Sequence, residues 1–252
     1  MDGNFNMKKT ILYLVILFAI PNWMCKKENA CDCFKGTGDI SNEERALAIF
    51  SSVEVEDNVN VIFQEDTLQQ VTVQAGANLI QNITTDIVEG KLIIKNKNKC
   101  NFVRRYDIPI NVYIHVLRNQ IFSIKTMGTG LISNTNPCTN DSIDLQIESS
   151  GDIEFQMGGL CKTYTHQHGA GDLTLTGSCE QLIIYSKGAG FTITDACTNI
   201  YTWVYTNTTG KITVQSTDLL IAIIDGSGNV YYTGNPNTIQ KTENATGKLL
   251  PI

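Results

Sequence analysis

Gly151-Asp-Ile-Glu-Phe155 returns in degenerate form as Gly171-Asp-Leu-Thr-Leu175, Gly190-Phe-Thr-Ile193, Gly210-Lys-Ile-Thr-Val214 and Gly228-Asn-Val-Tyr-Tyr232. Together with Gly130, these glycines are separated by 21, 20, 19, 20 and 18 residues. A nearly fixed period of this length marks a solenoid, in which each unit buries its apolar face by stacking on its neighbours. The alternation of polar and apolar residues is typical of strands rather than helices.

Alignment of the repeats on their glycines predicts which side chains face the interior. The columns six and eight residues before the glycine are aliphatic or threonine, as in Leu145, Thr165, Ile184, Val204 and Ala222, and in Ile143, Thr163, Leu182, Thr202 and Leu220. Alternation along a strand then directs the intervening columns outward. Period-two runs between residues 50 and 116 predict further stacked or paired strands. We therefore predict an all-β fold, a parallel β-helix-like solenoid with rungs of about 20 residues.

The N-terminal residues have the pattern of an export signal. Lys8 and Lys9 precede an apolar run, Ile11–Ile20, that is too short to span a membrane. Cys25 and a polar segment follow, which resembles a bacterial lipoprotein signal with Cys25 as the lipidated residue, although Met24 before it is larger than usual. The alternative is an ordinary secretory signal cleaved a few residues away. The sequence thus predicts a signal peptide at 1–24, a lipid-anchor tether at 25–40 and a single solenoid domain at 41–250.

Four of the eight cysteines fall in register, each seven to ten residues after a repeat glycine: Cys138, Cys161, Cys179 and Cys197. Cysteines of exported proteins commonly form disulfides, and neighbouring parallel strands lie close enough for such bonds. The sequence allows two bridges, Cys138–Cys161 and Cys179–Cys197, or a Cys161–Cys179 bridge, or a column of reduced thiols. Pairing of Cys100 with Cys31 or Cys33 is a further alternative.

Four segments resemble the head GIN domain family of auto-transporter adhesins: residues 31–40, 50–63, 78–94 and 226–236. They read Cys-Asp-Cys-Phe-Lys-Gly-Thr-Gly-Asp-Ile, Phe-Ser-Ser-Val-Glu-Val-Glu-Asp-Asn-Val-Asn-Val-Ile-Phe, Asn-Leu-Ile-Gln-Asn-Ile-Thr-Thr-Asp-Ile-Val-Glu-Gly-Lys-Leu-Ile-Ile and Gly-Ser-Gly-Asn-Val-Tyr-Tyr-Thr-Gly-Asn-Pro. The resemblance covers roughly residues 36–250. It implies a right-handed β-helix-like stack in an exported, often lipidated protein of a Gram-negative bacterium, and it implies no chemistry.

One group of outward columns is aromatic: Tyr164, His166, Tyr185, Trp203 and Tyr205 lie five or seven residues before the glycines. Exposed aromatic rings on adjacent rungs stack on sugar rings or anchor a protein partner, so we predict that these residues bind ligand. Ile183, Ile221 and Ile223 continue the same columns. Two alternatives compete: residues 41–125 cover this face, or the inward and outward faces are reversed.

The sequence contains little that indicates catalysis. His166 and His168 lie on one side of a strand and could bind a metal ion, but no carboxylate or cysteine accompanies them at ligand spacing. Asp152 and Asp172 share a column, as do the calcium-binding carboxylates of polysaccharide lyases of β-helix fold, and Lys211 in the same column would be the base. The alternative is that the two carboxylates are simply solvated. We expect no enzymatic activity, no metal and no cofactor.

The predicted function is that of a non-enzymatic envelope lipoprotein, an adhesion or binding module for a glycan or an envelope protein. We expect it to be anchored to the outer membrane through its N-terminal lipid. The net charge of −6, without a basic cluster, argues against nucleic-acid binding. The alternatives are a carbohydrate-active enzyme of polysaccharide-lyase type and a structural spacer.

Overall fold

The computed structural model describes residues 36–99, 105 and 107–252. The predicted signal peptide, the lipidation site Cys25, most of the tether, and Cys31, Cys33 and Cys100 lie outside the described residues. The chain divides into two units: one comprises Met1–Gly36 and Lys99–Arg105, and the other comprises Thr37–Asn98 and Tyr106–Ile252. In the described part of the chain, no helix has the length and apolar character needed to cross a membrane.

The second unit is built from strands, with one short 3₁₀ turn at Ile80–Asn82. The described strands are β1 (Ile40–Arg45), β2 (Ser52–Val55), β3 (Asn60–Glu65), β4 (Gln70–Gly76), β5 (Ile83–Val88), β6 (Lys91–Asn96), β7 (Asn111–Val116), β8 (Ser123–Thr126), β9 (Ile132–Asn134), β10 (Ser142–Ile147), β11 (Ile153–Gly158), β12 (Lys162–Gln167), β13 (Leu173–Ser186), β14 (Thr192–Thr206), β15 (Ile212–Gln215), β16 (Leu219–Ile224), β17 (Val230–Thr233), β18 (Thr238–Glu243) and β19 (Leu249–Pro251).

The strands form a β-solenoid of about six turns with about 20 residues per turn, as the repeat predicted. Each turn contributes one strand to each of two parallel stacks. Sheet A runs β8–β10–β12–β13–β14–β16–β18, using the C-terminal halves of the two long strands. Sheet B runs β9–β11–β13–β14–β15–β17–β19, using their N-terminal halves. The repeat glycines lie in the corner that leads from sheet A to sheet B.

The first third of the chain joins the stack out of sequence order. Strand β2 lies between β6 and β8 in sheet A, and β3 lies between β7 and β9 in sheet B. The turn made by β2 and β3 is therefore inserted between two turns that come later in the chain. Beyond it, antiparallel strands complete this end: β5 pairs with β6, β4 with β7, and β1 with β4.

The interior is formed by the columns that the alignment predicted. Leu182, Ile184, Val204 and Ala222 are fully buried, and their neighbours in the same columns are at most 1% exposed. The predicted assignment of inward and outward faces is thus confirmed, and the reversed alternative is wrong. Burial of a leucine or isoleucine side chain contributes about 1.5–3 kcal/mol, so these columns supply much of the stabilisation.

The glycine corner is explained by close approach of neighbouring turns. A Cβ atom on Gly171 would overlap the carbonyl oxygen of Gly151, and one on Gly190 would overlap that of Gly171. None of these repeat glycines has a positive φ. The corner therefore requires glycine for lack of space between turns and not for its backbone conformation.

The last turn replaces aliphatic inward residues by charged ones. In β18, Lys241 pairs with Ala222 and Glu243 with Ile224 of the preceding turn. The Glu243 carboxylate accepts hydrogen bonds from Lys241 Nζ at 3.1 Å, from Lys248 Nζ at 3.0 Å and from the Leu249 amide at 3.0 Å. Terminal repeats of solenoids commonly present such polar surfaces, which oppose stacking of further strands.

Candidate ligand-binding face

The five predicted ligand-binding residues lie together on the outer side of sheet A. We call them the aromatic face: Tyr164 and His166 on β12, Tyr185 on β13, and Trp203 and Tyr205 on β14. Pairing between strands places them in two adjacent columns. One column contains Tyr164, Ile183, Trp203 and Ile221, and the other contains His166, Tyr185, Tyr205 and Ile223. The predicted continuation by three isoleucines is therefore present in the register.

The rings of the aromatic face contact one another across adjacent strands. His166 stacks on Tyr185 with their centroids 5.1 Å apart and their planes within 2°. The Tyr185 and Trp203 centroids are 4.8 Å apart, and Trp203 and Tyr205 have nearly parallel planes with centroids 6.4 Å apart. Aromatic pairs at these separations stabilise each other by about 0.5–1.5 kcal/mol. The result is a pre-ordered cluster of four rings on three adjacent strands.

The aromatic face is open to solvent to a varying degree. Tyr164 is 37% exposed, whereas His166, Tyr185, Trp203 and Tyr205 are half-buried, partly by one another. The strands formed by residues 41–125 continue the two sheets at one end of the stack and do not lie across this face. The described strands of that segment, β1 to β8, therefore do not cover the aromatic face.

Charged groups border the aromatic face on both sides. His166 Nε2 lies 3.7 Å from Asp144 Oδ1, and His168 Nδ1 lies 3.1 Å from Glu148 Oε1. Lys187 Nζ lies 5.6 Å from the centroid of the Tyr205 ring, within the range of a cation–π contact. Each histidine thus has one carboxylate neighbour, and no group of three or more metal-ligating side chains occurs within the described residues.

The hydroxyl of Tyr205 interacts with the next turn. The Asp225 carboxylate raises the pKa of Tyr205 through a side-chain hydrogen bond, because deprotonation would remove the donor and place two negative charges together. Tyr205 therefore remains a neutral hydrogen-bond donor and joins the aromatic face to the turn that carries Asp225.

A further exposed aromatic residue, Tyr201, lies beside this face and is not among the predicted ligand-binding residues. Tyr201 is 39% exposed and pairs with Gln181 and Leu219 of the neighbouring turns. It lies nine residues before Gly210 and would have been found by extending the alternating columns by one position. A second group that the sequence did not identify is on the other side of the solenoid, where Phe191 is 49% and Ile193 41% exposed.

The four register cysteines line the connection from sheet B to sheet A. Cys161, Cys179 and Cys197 are buried, Cys138 is half-buried, and all four are free thiols. The sulfur atoms of Cys179 and Cys197 are 3.5 Å apart, well beyond the bond length of about 2.05 Å in a disulfide. The structure thus brings cysteines of this column close together, but neither the two-bridge arrangement nor the Cys161–Cys179 bridge is present in it.

Asp152 and Asp172 have a structural role in the corner. Asp152 Oδ1 accepts a hydrogen bond of 2.8 Å from the Asp172 amide, and Asp172 Oδ1 accepts one of 2.7 Å from the Phe191 amide. Each carboxylate therefore satisfies a backbone donor of the next turn. The register places Lys211 beside Phe191, two turns from Asp172 as predicted. These contacts explain the column without a metal ion or a catalytic base.

Several solved structures share this fold. A "putative adhesin" from Bacteroides fragilis is 19% identical with a TM-score of 0.72, and the match covers 86% of this chain and 100% of that one. A "putative adhesin" from Parabacteroides merdae is 17% identical, with a TM-score of 0.62 and coverage of 86% and 98%. A "putative lipid binding protein" from Parabacteroides distasonis is 17% identical, with a TM-score of 0.61 and coverage of 86% and 99%.

No curated protein matches this chain. In contrast, the family described as "Putative auto-transporter adhesin, head GIN domain" matches residues 49–236, which include the inserted turn, the glycine corner and the whole aromatic face. Three of the four segments that indicated this resemblance, residues 50–63, 78–94 and 226–236, lie within the matched range. The chain belongs to the head GIN domain family of auto-transporter adhesins.

Proposed function

We propose that the protein is a non-enzymatic binding module of the cell envelope that recognises a glycan or a protein partner through its aromatic face. The observation that carries this proposal is the cluster formed by His166, Tyr185, Trp203 and Tyr205, in which four rings contact one another on the outer side of three adjacent strands. Aromatic residues are common anchors in interfaces because they bury a large area with few rotatable bonds.

The surroundings of the cluster support recognition rather than catalysis. The carboxylates that would have formed a lyase-type site, Asp152 and Asp172, accept backbone hydrogen bonds in the glycine corner. The aromatic face instead combines flat rings with isoleucines at positions 183, 221 and 223, which broadens the apolar contact area. The family description as an adhesin agrees with a binding role.

The cellular location is part of the same proposal. Export by the segment 1–24, lipidation at Cys25, a tether up to residue 40 and a solenoid domain at 41–250 would place the aromatic face outside the cytoplasm, on the outer membrane of a Gram-negative bacterium. A stack of repeated turns suits an adhesin, because several modest contacts along its surface add up. Metabolic labelling with a clickable palmitate analogue tests this arrangement, since labelling must disappear in Cys25→Ser.

The binding function is tested by a glycan array and a whole-cell binding screen. Wild-type protein is compared with Trp203→Ala/Tyr205→Ala, which removes two rings of the aromatic face without altering the inward columns. The matched control is Phe191→Ala, which removes an exposed ring from the other side of the solenoid. We expect binding by the wild type and by the control, and at least tenfold weaker binding by the double variant.

Two results would contradict the proposal. Equal binding by the double variant would show that another surface recognises the ligand. Loss of binding in Phe191→Ala, with binding retained in the double variant, would move the site to the opposite side of the solenoid. Circular dichroism and melting temperature of each variant show that the fold is intact before binding is compared.

A further inference from the structure

The last three turns form a polar depression beside the aromatic face. Two columns of the repeat line it: the position three before the glycine, with Asn207, Asp225 and Asn244, and the position one before, with Thr209, Ser227 and Thr246. In the three preceding turns the first column is also polar, with Glu148, His168 and Lys187, and the second contains Ser150, Ala170 and Ala189. The six polar side chains line an open depression of about 600 Å³, within the size range of small-molecule sites. We call it the polar cup.

The hydroxyl groups of the polar cup are available to a ligand. Thr209, Ser227 and Thr246 are exposed, and their hydroxyls make no hydrogen bond within the part of the chain that the structure describes. Successive turns repeat at the strand spacing of about 4.8 Å, so the three hydroxyls form a ladder with a fixed interval. Because each hydroxyl both donates and accepts, the ladder can pair with a row of hydroxyls on a ligand.

The acidic residue of the polar cup is held in place by its neighbours. Asn244 Nδ2 donates a hydrogen bond of 2.7 Å to Asp225 Oδ1, and the Tyr205 hydroxyl also interacts with this carboxylate. A carboxylate accepts up to about four hydrogen bonds, so acceptor positions remain for a ligand. Tyr205 belongs to the aromatic face as well, which makes the polar cup and the ring cluster one continuous surface.

We propose that the polar cup and the Trp203–Tyr205 pair together form a subsite for an uncharged hexose unit of a glycan. This inference rests on the proposed binding function and deepens it by naming the class of ligand and the residues that bind it. The Trp203 and Tyr205 rings stack against the C–H face of the sugar ring. The hydroxyl ladder and Asp225 form hydrogen bonds with the hydroxyl groups of the sugar. Within the polar cup an acidic sugar is disfavoured, because its carboxylate would face Asp225, the one charged side chain there. The nearby cation, Lys187, lies outside the polar cup, over the Tyr205 ring.

The test uses saturation-transfer NMR on the purified protein with the methyl glycosides of glucose, galactose, mannose and N-acetylglucosamine. N-acetylneuraminic acid serves as the acidic comparison. The variant Thr209→Ala/Ser227→Ala/Thr246→Ala removes the three exposed hydroxyls. As a control, Thr198→Ala removes an exposed hydroxyl on β14, outside the polar cup. We expect a neutral glycoside to bind the wild type and the control, with at least tenfold weaker binding to the triple variant.

The outcomes separate this inference from the proposed function. If Trp203→Ala/Tyr205→Ala abolishes sugar binding while the triple variant binds normally, the aromatic face recognises the ligand and the polar cup does not. If no neutral glycoside binds but cells or a protein partner are bound through the aromatic face, the hexose subsite is wrong and the proposed function stands. Preference for the acidic sugar would likewise overturn the inference. Binding to neither cells nor sugars would contradict both.

Discussion

The carbonyl oxygen of Gly151 occupies the space that a side chain on Gly171 would need. In the same way, the carbonyl oxygen of Gly171 occupies the space that a side chain on Gly190 would need, and the pattern continues in the later turns. The backbone of each turn is therefore in direct contact with the backbone of the turn before it. A substitution that forces two turns apart therefore disturbs the hydrogen bonds on both sides of the corner. This dependence connects the period of the sequence to the stability of the whole stack.

Gly171→Val should destabilise the protein by at least about 2 kcal/mol, because the new side chain can be accommodated only by displacing backbone. Urea denaturation of the variant measures this loss. Ala170→Val is the matched control, since Ala170 is the exposed neighbour of Gly171 and has room for a larger side chain. An unchanged midpoint in Gly171→Val would mean that the corner does not need glycine.

Removal of the Asp172 carboxylate should cost about 1 kcal/mol, because the Phe191 amide loses its hydrogen-bond acceptor. Asp172→Asn keeps an acceptor oxygen at this position, so its free energy of unfolding should fall by less than half as much as that of Asp172→Ala.

The hydrogen bonds of Asp152 and Asp172 need no metal ion, so EDTA should leave the melting temperature of the wild type unchanged. A melting temperature that falls with EDTA and recovers with calcium would instead restore the metal-site interpretation.

Stability at low pH should depend on Glu243. Hydrogen bonds from the Leu249 amide, Lys248 and Lys241 lower the pKa of its carboxyl to about 2, so the folded state favours the ionised form. Its stabilising contribution is complete above the unfolded pKa of about 4.3 and is lost as the pH falls towards 2. The urea midpoint of the wild type should therefore fall more steeply from pH 5 to pH 2 than that of Glu243→Gln.

The exposed Glu154 provides the control for this pH dependence. The urea midpoint of Glu154→Gln should change with pH as that of the wild type does. The urea midpoints of Glu243→Gln and of the wild type should converge near pH 2. Parallel curves for wild type and Glu243→Gln over the whole range would show that Glu243 does not close the end of the solenoid.

The buried thiols should react slowly in the folded protein. Burial raises the pKa of Cys138 to about 11. At Cys179 a hydrogen bond with Cys161 lowers the pKa, but the contact with Cys197 and burial together outweigh it and raise the pKa to about 12. Because the thiolate is the reactive form, iodoacetamide at pH 8 should label Cys138 and Cys179 only after denaturation. Mass spectrometry of labelled peptides measures this. Denatured protein in which they stay unlabelled until a reductant is added would indicate a disulfide.

The sequence predicted the repeated part of the fold because its information is local. A strand alternates with period two, and a solenoid repeats each position once per turn, so the inward position of Leu182 or Ile184 follows from the alignment alone. The order in which the first strands join the stack does not follow from the alignment. Parallel and antiparallel neighbours require the same alternation, and the insertion of β2 between β6 and β8 depends on contacts between distant segments that leave no local pattern.

The candidate site was predictable to the same extent. The outward columns identified Tyr185, Trp203 and Tyr205, since register alone brings them together. The sequence could not predict the geometry of the rings, the contact of Tyr205 with Asp225 or the concave shape of the polar cup. These features depend on side-chain rotamers and on the loops between turns. The cysteine column shows the same limit, since register predicted proximity and could not give the distance between the sulfur atoms.

The fluorescence of Trp203 tests the central proposal, recognition through the aromatic face, most directly. The chain has two tryptophans, and Trp23 lies in the predicted signal peptide at 1–24, so Trp203 is the only tryptophan of the processed protein. In the processed protein, titration with any glycan or partner that binds in the array or cell screen should shift or quench the emission at concentrations matching the independently measured affinity. Saturating binding that leaves the emission of Trp203 unchanged would place recognition on another surface and contradict the proposed function.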